Sequence, residues 1–381
     1  MRRGDVAIVG VAESDLGKVS EGLSPIDLMA QGVLRALDDA GLELADVDGL
    51  FAAATQSRMP TLALCEYLGI RPRYTDSSYS GGASFLSHVA HAHAAISAGL
   101  CGVAVITYGS TQRSDRGRYV TQREDNPYER PYRPRLPVSA YALAAARHMH
   151  EFGTTREQLA EVAVAARQWA KLNPKAWSKQ DLTIGDVLDA PMISDPLGRY
   201  DCCLVTDGGG ALVLVSADRA RSLRKPPVYV LGSGEAQDHV SISTMPDLTT
   251  TAALRSGAQA YAMAGLGAGD VDVAQLYDAF TITPVLFLED LGFCSKGEGG
   301  AFVSGGRTAP GGAFPMNTSG GGLSYCHPGM FGLLLLVEAV RQLRGEAGAR
   351  QVAGAEVALA HGNGGMLAAQ STVILGTAAT L

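Results

Sequence analysis

The stretch NTSGGGLSYCHPGMFGLLLLVEAVRQL, residues 317–343, joins a glycine-rich turn to a long apolar run. The turn ends at His327 and Pro328, and residues 330–343 have the apolar content and length of a buried helix. Glycines in such a turn allow two segments of backbone to approach closely. The stretch therefore predicts a turn that presents polar side chains at the start of a helix in the core.

Apolar strand-like runs alternate with helical segments on both sides of this stretch, which is typical of an α/β fold with buried strands. In the second half, strands are predicted over 228–236, 271–278, 356–361 and 371–376, with helices over 251–264, 282–291 and 330–343. The first half has strands at 6–12, 49–55, 103–109 and 208–217, with helices over 24–40 and 60–68 and a third that ends near Gly99. The shared order βαβαβαββ predicts an internal duplication.

One stretch of the first half departs from this order. Residues 111–137 are rich in Arg, Pro and Tyr, and residues 141–188 have the pattern of several amphipathic helices. We therefore expect an inserted helical loop domain over residues 110–200. The predicted division is an N-terminal half over 1–220, which includes the insertion, and a C-terminal half over 221–381.

The composition restricts the class of function. Of the 381 residues, 46% are hydrophobic and only 18% are charged, which favours a large buried core. A net charge of −7 argues against nonspecific binding to nucleic acid. The six cysteines show no CxxC spacing, the first apolar run is too short for a signal peptide, and no run approaches the roughly 18–20 apolar residues of a membrane span. These features predict a cytoplasmic protein.

Four motifs resemble those of the thiolase superfamily, specifically its sterol-carrier-protein-type branch, and they follow one another along the chain in the same order as in that family. GGGLSYCHPGMFG stands where that family has a Gly-Gly-Leu…Gly-His-Pro turn, and YDAFT stands where it has His-Asp-Cys-Phe. ALAHGNGGMLAAQSTVIL resembles its closing His-Asn-x-Gly-x-Gly-Gly segment, and DCCLVTDGGGALVLVSADRA resembles the strand that returns from its loop domain. The resemblance implies a thiolase fold with five layers, α-β-α-β-α, and an acyl-CoA substrate with no separate cofactor.

Both catalytic cysteines of that family are missing here. A thiolase needs a thiolate because an unassisted hydroxyl is a poor nucleophile near neutral pH. Counting without gaps places the nucleophile position at Gly82, and the alternative alignment on Cys-x-Ser-Gly places it at Ser78. The second cysteine position is Ala279, and Tyr277 replaces the histidine of the same motif. A covalent thiolase mechanism is therefore not expected.

A related branch fits this pattern better. Its lipid-transfer-protein-like members resemble this chain and are retro-aldolases of steroid side-chain degradation, which use tyrosines and act with a small DUF35-type partner of OB fold. The resemblance implies retro-aldol cleavage of a bulky β-hydroxyacyl-CoA to a ketone and a shorter acyl-CoA. It also implies a homodimer and a DUF35 partner.

Candidate catalytic residues lie in the motif loops. Tyr277 and Tyr325 stand where the tyrosines of this branch are expected, and the alternative for each is a packed core side chain. His327 matches the catalytic His-Pro and could assist a tyrosine, whose ordinary pKa of about 10 makes it a weak base alone. His361 is predicted to donate to a thioester oxygen, although a core histidine is the alternative.

Further residues are predicted to surround the substrate: Ser78, Gly81, Gly82, Asp278, Asn363, Gly364, Arg113 and Arg116. Gly81 and Gly82 would offer backbone amides from a helix start, and the two arginines would bind CoA phosphates. Asp278 could instead cap the helix that follows Thr281. His88, His91 and His93 lack a carboxylate or thiol in a ligand spacing, so no metal site is predicted.

Two other functions remain open. A divergent acetyl-CoA acyltransferase would use Ser78 or Cys326 as its nucleophile and would consume free CoA. A noncatalytic acyl-CoA or lipid-binding subunit would bind thioesters without turnover.

Overall fold

The computed structural model describes residues 2–115 and 126–381. The first half contains the elements β1 (Val6–Glu13), α1 (Pro25–Ala40), β2 (Gly49–Ala52), α2 (Pro60–Leu68), β3 (Tyr74–Asp76), α3 (Ser84–Ser97) and β4 (Val103–Ser110). After the insertion it closes with β7 (Gly208–Ser216). The insertion itself holds α4 (Val138–Phe152), α5 (Arg156–Lys171), α6 (Ile184–Leu188) and the short strands β5 (Met192–Ser194) and β6 (Leu197–Gly198).

The second half follows a short helix, α7 (Ala217–Ala220). Its elements are β8 (Val228–Gln237), α8 (Ala253–Ala264), β9 (Val273–Leu276), α9 (Ile282–Asp290), α10 (Gly299–Val303), α11 (Gly332–Arg344), β10 (Val357–Gly364) and β11 (Ala369–Gly376).

Within the described residues, the main sheet has nine strands in the order β3-β2-β4-β7-β1-β8-β11-β10-β9. The two halves meet where β1 pairs with β8 over only two residue pairs, Ala7 with Tyr229 and Ile8 with Val228. Helices α3 and α11 contact strands of both halves, whereas α1 packs on β1, β4 and β7 and α8 packs on β8 and β11. The predicted five-layer α/β fold is confirmed, and α3 and α11 form its middle layer.

One predicted strand of the duplication is reduced. In the first half β3 pairs with β2 at the sheet edge, and the corresponding place in the second half lies beside β9. Over residues 221–381, all of which are described, a single parallel bridge between Ala274 and Met316 takes the place of that strand. The order βαβαβαββ therefore holds fully only in the first half.

Local sequence explains why the helices begin where they do. The Ser24 side chain accepts from the Asp27 amide and the Asp27 carboxylate accepts from the Ser24 amide at 2.8 Å, which forms a capping box ahead of Pro25. The strands β1, β4, β10 and β11 are buried along their whole length, as expected for strands covered on both faces. Together these elements bring the starts of α3 and α11 to the centre of the molecule.

Candidate active site

Tyr277 lies at this centre, directly after β9. Its side chain is buried, and its hydroxyl oxygen lies 3.1 Å from Nε2 of His327. The backbone N–H of Phe331, at the start of α11, donates to the same oxygen at 3.0 Å. Tyr277 thus connects the two motif loops.

The ring of Tyr277 fills the space above Gly82. A Cβ added at Gly82 would stand 2.3 Å from a ring carbon of Tyr277 and 2.6 Å from the backbone oxygen of Asn363. Such distances are far inside van der Waals contact, so no side chain fits at position 82 beside this tyrosine. Of the two positions considered for a nucleophile, Gly82 faces the site and cannot carry a thiol in this arrangement.

His327 is a neutral imidazole in a buried environment. Its backbone N–H donates to Oγ1 of Thr206 at 3.0 Å, and its Nε2 faces Tyr277. Burial lowers the pKa of His327 to about 4. Its Nδ1 is buried and has no hydrogen-bond partner in the described part of the chain. One nitrogen is therefore free for a further oxygen atom.

Tyr325 lies in the same loop, in a turn of π-helix over Gly321–Tyr325. Its hydroxyl donates to Oε1 of Glu13 at 2.9 Å. Burial and the Glu13 charge hold the pKa of Tyr325 well above its usual range. Both tyrosine rings pack edge-on against Phe331, with centroid distances of 5.9 Å for Tyr277 and 6.5 Å for Tyr325. The structure therefore gathers both tyrosines around one aromatic ring.

The side chain of Asp278 does not cap helix α9, which was the alternative role considered from the sequence. Its carboxylate accepts from the N–H groups of Gly322 at 2.6 Å and Leu323 at 3.2 Å, so it holds the π turn and not the start of α9. A Cβ at Gly321 would stand 2.0 Å from Oδ2 of Asp278, which explains the glycine. Burial raises the pKa of Asp278 to about 7. Asp278 therefore fixes the loop that carries Tyr325 and His327.

His361 is not placed as the predicted donor to a thioester oxygen. Its Nδ1 lies 2.9 Å from Oγ1 of Thr372 and its Nε2 lies 3.0 Å from Oε1 of Gln370. Burial lowers the pKa of His361 to about 3. Because both ring nitrogens have partners within the sheet, His361 stabilises the fold, and only its backbone oxygen reaches the site, by accepting from the Tyr277 amide at 3.0 Å.

Asn363 belongs to the same internal network. Its Nδ2 donates to the Tyr141 hydroxyl at 2.7 Å and its Oδ1 accepts from Gln370 at 2.8 Å. A Cβ at Gly364 would stand 1.7 Å from the backbone oxygen of Ser80, and one at Gly81 would stand 2.9 Å from the Gly365 nitrogen. The predicted binding glycines Gly81 and Gly364 therefore allow two turns to pack against each other.

Ser78 lies outside this cluster, on the surface. Its Oγ is 3.4 Å from Nδ1 of His91, and the same nitrogen is 2.7 Å from Oδ2 of Asp76. The contact with Asp76 raises the pKa of His91 to about 9, so this imidazole is already protonated near neutral pH. A general base needs a free nitrogen toward the serine, and this geometry does not supply one. Ser78 is not an activated nucleophile.

Arg113 lies at the surface near the π turn. Its guanidinium stacks on the ring of Trp177 at 4.6 Å and donates to the backbone oxygen of Val205 at 3.1 Å. The N–H of Trp177 donates to the backbone oxygen of Tyr325 at 3.0 Å. We call Arg113, Trp177 and Val205 the surface patch. Arg116, the other predicted phosphate ligand, lies outside the described residues.

The sequence did not reveal the segment that joins the two motif loops. The backbone N–H groups of Cys203, Leu204 and Thr206 donate to the oxygens of Ala279, Gly322 and His327 at 2.9, 2.9 and 3.2 Å. Cys203 is half-buried beside Tyr277, and burial raises the pKa of its thiol. Burial also raises the pKa of Cys326 to about 12, and its sulfur contacts Thr206. Neither thiol is a thiolate near neutral pH.

Glu13 was also missed as a site residue. It ends an apolar strand, and a carboxylate in that position was the one available signal.

Nowhere in the described part of the chain do three or more His, Cys, Asp or Glu side chains gather in a way that could hold a metal ion. None of the helices in residues 2–115 and 126–381 has the length and apolar character needed to cross a bilayer.

Comparison with known proteins identifies the family. Residues 234–377 match the family model described as Thiolase C-terminal domain-like. The chain is 36% identical to an acetyl-CoA acetyltransferase of Methanothermobacter thermautotrophicus, over 95% of this chain and 96% of that one. It is 37% identical to the 17-hydroxy-3-oxo-4-pregnene-20-carboxyl-CoA lyase of Mycobacterium tuberculosis, over 93% and 95%.

Among solved structures, the chain is similar to one titled Ltp2-ChsH2(DUF35) aldolase, with a TM-score of 0.90, 32% identity and 99% of each chain covered. The protein therefore belongs to the thiolase superfamily. Within that superfamily it belongs to the sterol-carrier-protein-like branch that includes steroid side-chain aldolases.

Proposed function

We propose that this protein is an acyl-CoA carbon–carbon lyase that cleaves a bulky β-hydroxyacyl-CoA of steroid side-chain type to a ketone and a shorter acyl-CoA. The observation that carries the proposal is the Tyr277 ring, which fills the place of a thiolase nucleophile and sets its hydroxyl against a neutral histidine. The lyase and aldolase relatives support the same reaction class.

The first step is loss of the β-hydroxyl proton. That proton passes to the Tyr277 oxygen while the Tyr277 proton passes to Nε2 of His327, which is unprotonated because burial lowers the pKa of this imidazole. The electron pair left on the β-oxygen forms the ketone as the Cα–Cβ bond breaks. The electrons of that bond enter the thioester as an enolate.

The enolate requires hydrogen-bond donors and then a proton. With Nε2 as acceptor, His327 carries its hydrogen on the unpartnered Nδ1, which is free to donate to an oxygen of the substrate. One well-placed donor of this kind contributes about 3–4 kcal/mol to an oxyanion transition state. Tyr325 is held as a neutral phenol whose hydroxyl donates to Glu13, and it turns this hydrogen to Cα and supplies the proton. The proton taken up by His327 then returns to Tyr325 through solvent, which restores both groups. The reaction consumes neither free CoA nor an oxidant.

The surface patch is proposed as the point where CoA approaches. Arg113 is exposed, and the patch contacts the Tyr325 turn through Trp177. A guanidinium at such a place suits the phosphates of CoA. Arg116 is proposed for the same role from its position in the sequence.

We also propose a homodimer and a small DUF35-type partner. Strand β3 is an edge strand, and the nearby side chains Met59, Leu62, Tyr67 and Tyr79 are exposed large apolar groups. The similar solved structure carries DUF35 in its title. Six free cysteines are consistent with a reducing compartment, for which we propose the cytoplasm.

The test is product analysis with the purified protein, alone and with a co-expressed DUF35-type partner, on a β-hydroxyacyl-CoA with a steroid-like acyl group. A lyase releases ketone and shorter acyl-CoA at a rate independent of added CoA. An acyltransferase requires free CoA, and a binding subunit gives no product. Either of the last two results would refute the proposal.

Tyr277→Phe then tests the assignment of the base. Removal of the hydroxyl should lower kcat/KM by about 100-fold or more, the usual contribution of a positioned acid or base. Tyr132→Phe, at an 86%-exposed position of the insertion, is the matched control and should have wild-type activity. Equal rates for Tyr277→Phe and the wild type would contradict the assignment.

A further inference from the structure

Glu13 is a buried charged group for which the steps above have no use. It ends β1 and is 4% exposed. Both of its oxygens contact the guanidinium of Arg341 on α11, and Oε2 lies 2.8 Å from Nζ of Lys175. The Lys175 side chain is 54% exposed and follows α5 of the insertion. A carboxylate with two cations already has its charge balanced without a third partner.

The third partner is the hydroxyl of Tyr325. This O–H donates to Oε1 of Glu13 at 2.9 Å, across 312 positions of sequence. In the described part of the chain, this hydrogen bond to Glu13 is the one that orients the Tyr325 hydroxyl. The orientation of this hydroxyl therefore depends on a side chain from the other half of the molecule.

We propose that Glu13 is a positioning residue for Tyr325, which orients its hydroxyl and, with Arg341 and Lys175, sets the pH at which this phenol loses its proton. The inference rests on the proposed function, because it takes Tyr325 as the acid that protonates Cα. A phenol that must donate a proton is inactive as a phenolate. The group that controls ionisation of Tyr325 therefore limits activity at alkaline pH.

The charges that face Tyr325 have known signs. Glu13 on β1 opposes loss of the phenol proton, whereas Arg341 on α11 favours it. Cys326 in the same turn opposes it only as a thiolate, which it is not near neutral pH. Replacement of Glu13 by glutamine leaves Arg341 and Lys175 without their counter-ion. The pKa of Tyr325 should then fall, because the cation of Arg341 remains near the phenol and the anion is gone.

The test is the pH dependence of kcat and kcat/KM for Glu13→Gln. The alkaline limb should move to lower pH by about one unit or more, the usual effect of a neighbouring charge. Glu338→Gln is the matched control, because Glu338 is 2% exposed, lies on α11 and pairs with Arg350 at 2.9 Å. The Glu338→Gln variant should be less stable than the wild type, but its activity should decline at the same alkaline pH.

NMR of isotope-labelled tyrosine gives a readout that does not need activity. The Tyr325 resonance, assigned with Tyr325→Phe, should move in Glu13→Gln and should titrate at lower pH than in the wild type. Lys175→Met, at a half-exposed position, should also move it, whereas Lys179→Met should not, since that lysine bonds the Pro174 oxygen. If Glu13→Gln does not fold, the comparison of Lys175→Met with Lys179→Met decides whether the inference holds.

The two failures can be distinguished. Full lyase activity in Tyr325→Phe would end the role of this tyrosine and with it the functional part of the inference. Loss of activity in Tyr325→Phe, with an unmoved alkaline limb in Glu13→Gln, would overturn the inference alone. An unmoved Tyr325 resonance in both Glu13→Gln and Lys175→Met would overturn it as well.

Discussion

At the scale of single residues, Gly82 and Tyr277 occupy one space. The aromatic ring lies where a side chain at position 82 would project, and its hydroxyl receives the N–H of Phe331 at the start of α11. The two residues are far apart in sequence, yet neither can change in size without affecting the other. The chemistry of the site thus depends on a steric match as well as on the identity of its acid and base groups.

Gly82→Ala tests this match. The added methyl group would meet the Tyr277 ring and the backbone of Asn363, so the free energy of unfolding should fall by about 1–3 kcal/mol. Gly269→Ala is the control, because a Cβ there meets nothing within 4 Å. Urea denaturation measures both variants. Equal losses in the two variants would show that the space above Gly82 is not filled.

Residue identities alone predicted part of this site. Tyr277 and His327 were predicted because they stand in motifs whose spacing is recognisable. The structure brings their side chains together, and their catalytic roles stay a prediction. His361 was assigned a wrong role because a motif does not tell which neighbours its ring nitrogens contact, and here Thr372 and Gln370 take both. The Glu13 contact with Tyr325 could not be predicted, because it joins residues 312 positions apart.

At the scale of secondary-structure elements, the π turn over Gly321–Tyr325 is the part that positions chemistry. Gly320 and Gly321 have φ values of 102° and 61°, which favour glycine, and the Asp278 carboxylate binds two amides of the turn. The turn is therefore fixed from inside the protein by one carboxyl group. Its protonation should influence the stability of the whole loop.

Asp278→Asn tests that influence through pH. The folded pKa of about 7 lies above the ordinary value of 3.8, so between these values the folded state keeps a proton that the unfolded state has lost. This contribution to stability is fully present below about pH 4 and is lost as the pH rises toward 7.

The asparagine variant should lack that decline, which is on the order of a few kcal/mol. Thermal unfolding from pH 4 to pH 7 measures it. Asp218→Asn, at an exposed position, should behave as the wild type does. Parallel pH curves for the wild type and Asp278→Asn would contradict the assignment.

Element boundaries were well predicted where local signals are strong. Ser24 and Pro25 start α1, and the predicted helix over residues 60–68 is α2 as found. The third strand of the second half was predicted by symmetry and is only a bridge at Met316, because residues 317–329 turn at once into the loop of the site. A duplication predicts the order of elements, and the function of a loop can override it.

At the scale of the whole molecule, the insertion is attached to the second half through a buried ionic cluster. His148 on α4 places Nε2 2.9 Å from Oε1 of Glu289 on α9, and Lys296 lies 3.2 Å from the other oxygen. Both His148 and Glu289 side chains are fully buried. This contact holds the insertion against the elements that follow Tyr277. The predicted domain limits at residues 110, 200 and 220 remain a prediction.

Glu289→Gln should loosen that attachment. The variant loses the carboxylate that accepts from His148 and lies 3.2 Å from Lys296, so the free energy of unfolding should fall by about 1–3 kcal/mol. Asp181→Asn is the control within the insertion, where an 85%-exposed carboxylate pairs with Lys171 and such surface pairs contribute little. Chemical denaturation and limited proteolysis of the insertion compare the two variants. Equal stability of the two variants would show that the cluster does not hold the insertion in place.

The shared space of Gly82 and Tyr277 also limits how this site could be redesigned. A cysteine at position 82 and a tyrosine at position 277 would collide, since the first atom of the cysteine side chain already meets the ring. A thiol can therefore be introduced at position 82 only together with a smaller side chain at position 277. Such a double variant exchanges the phenol for a sulfur nucleophile, so the two kinds of chemistry exclude each other within this pocket.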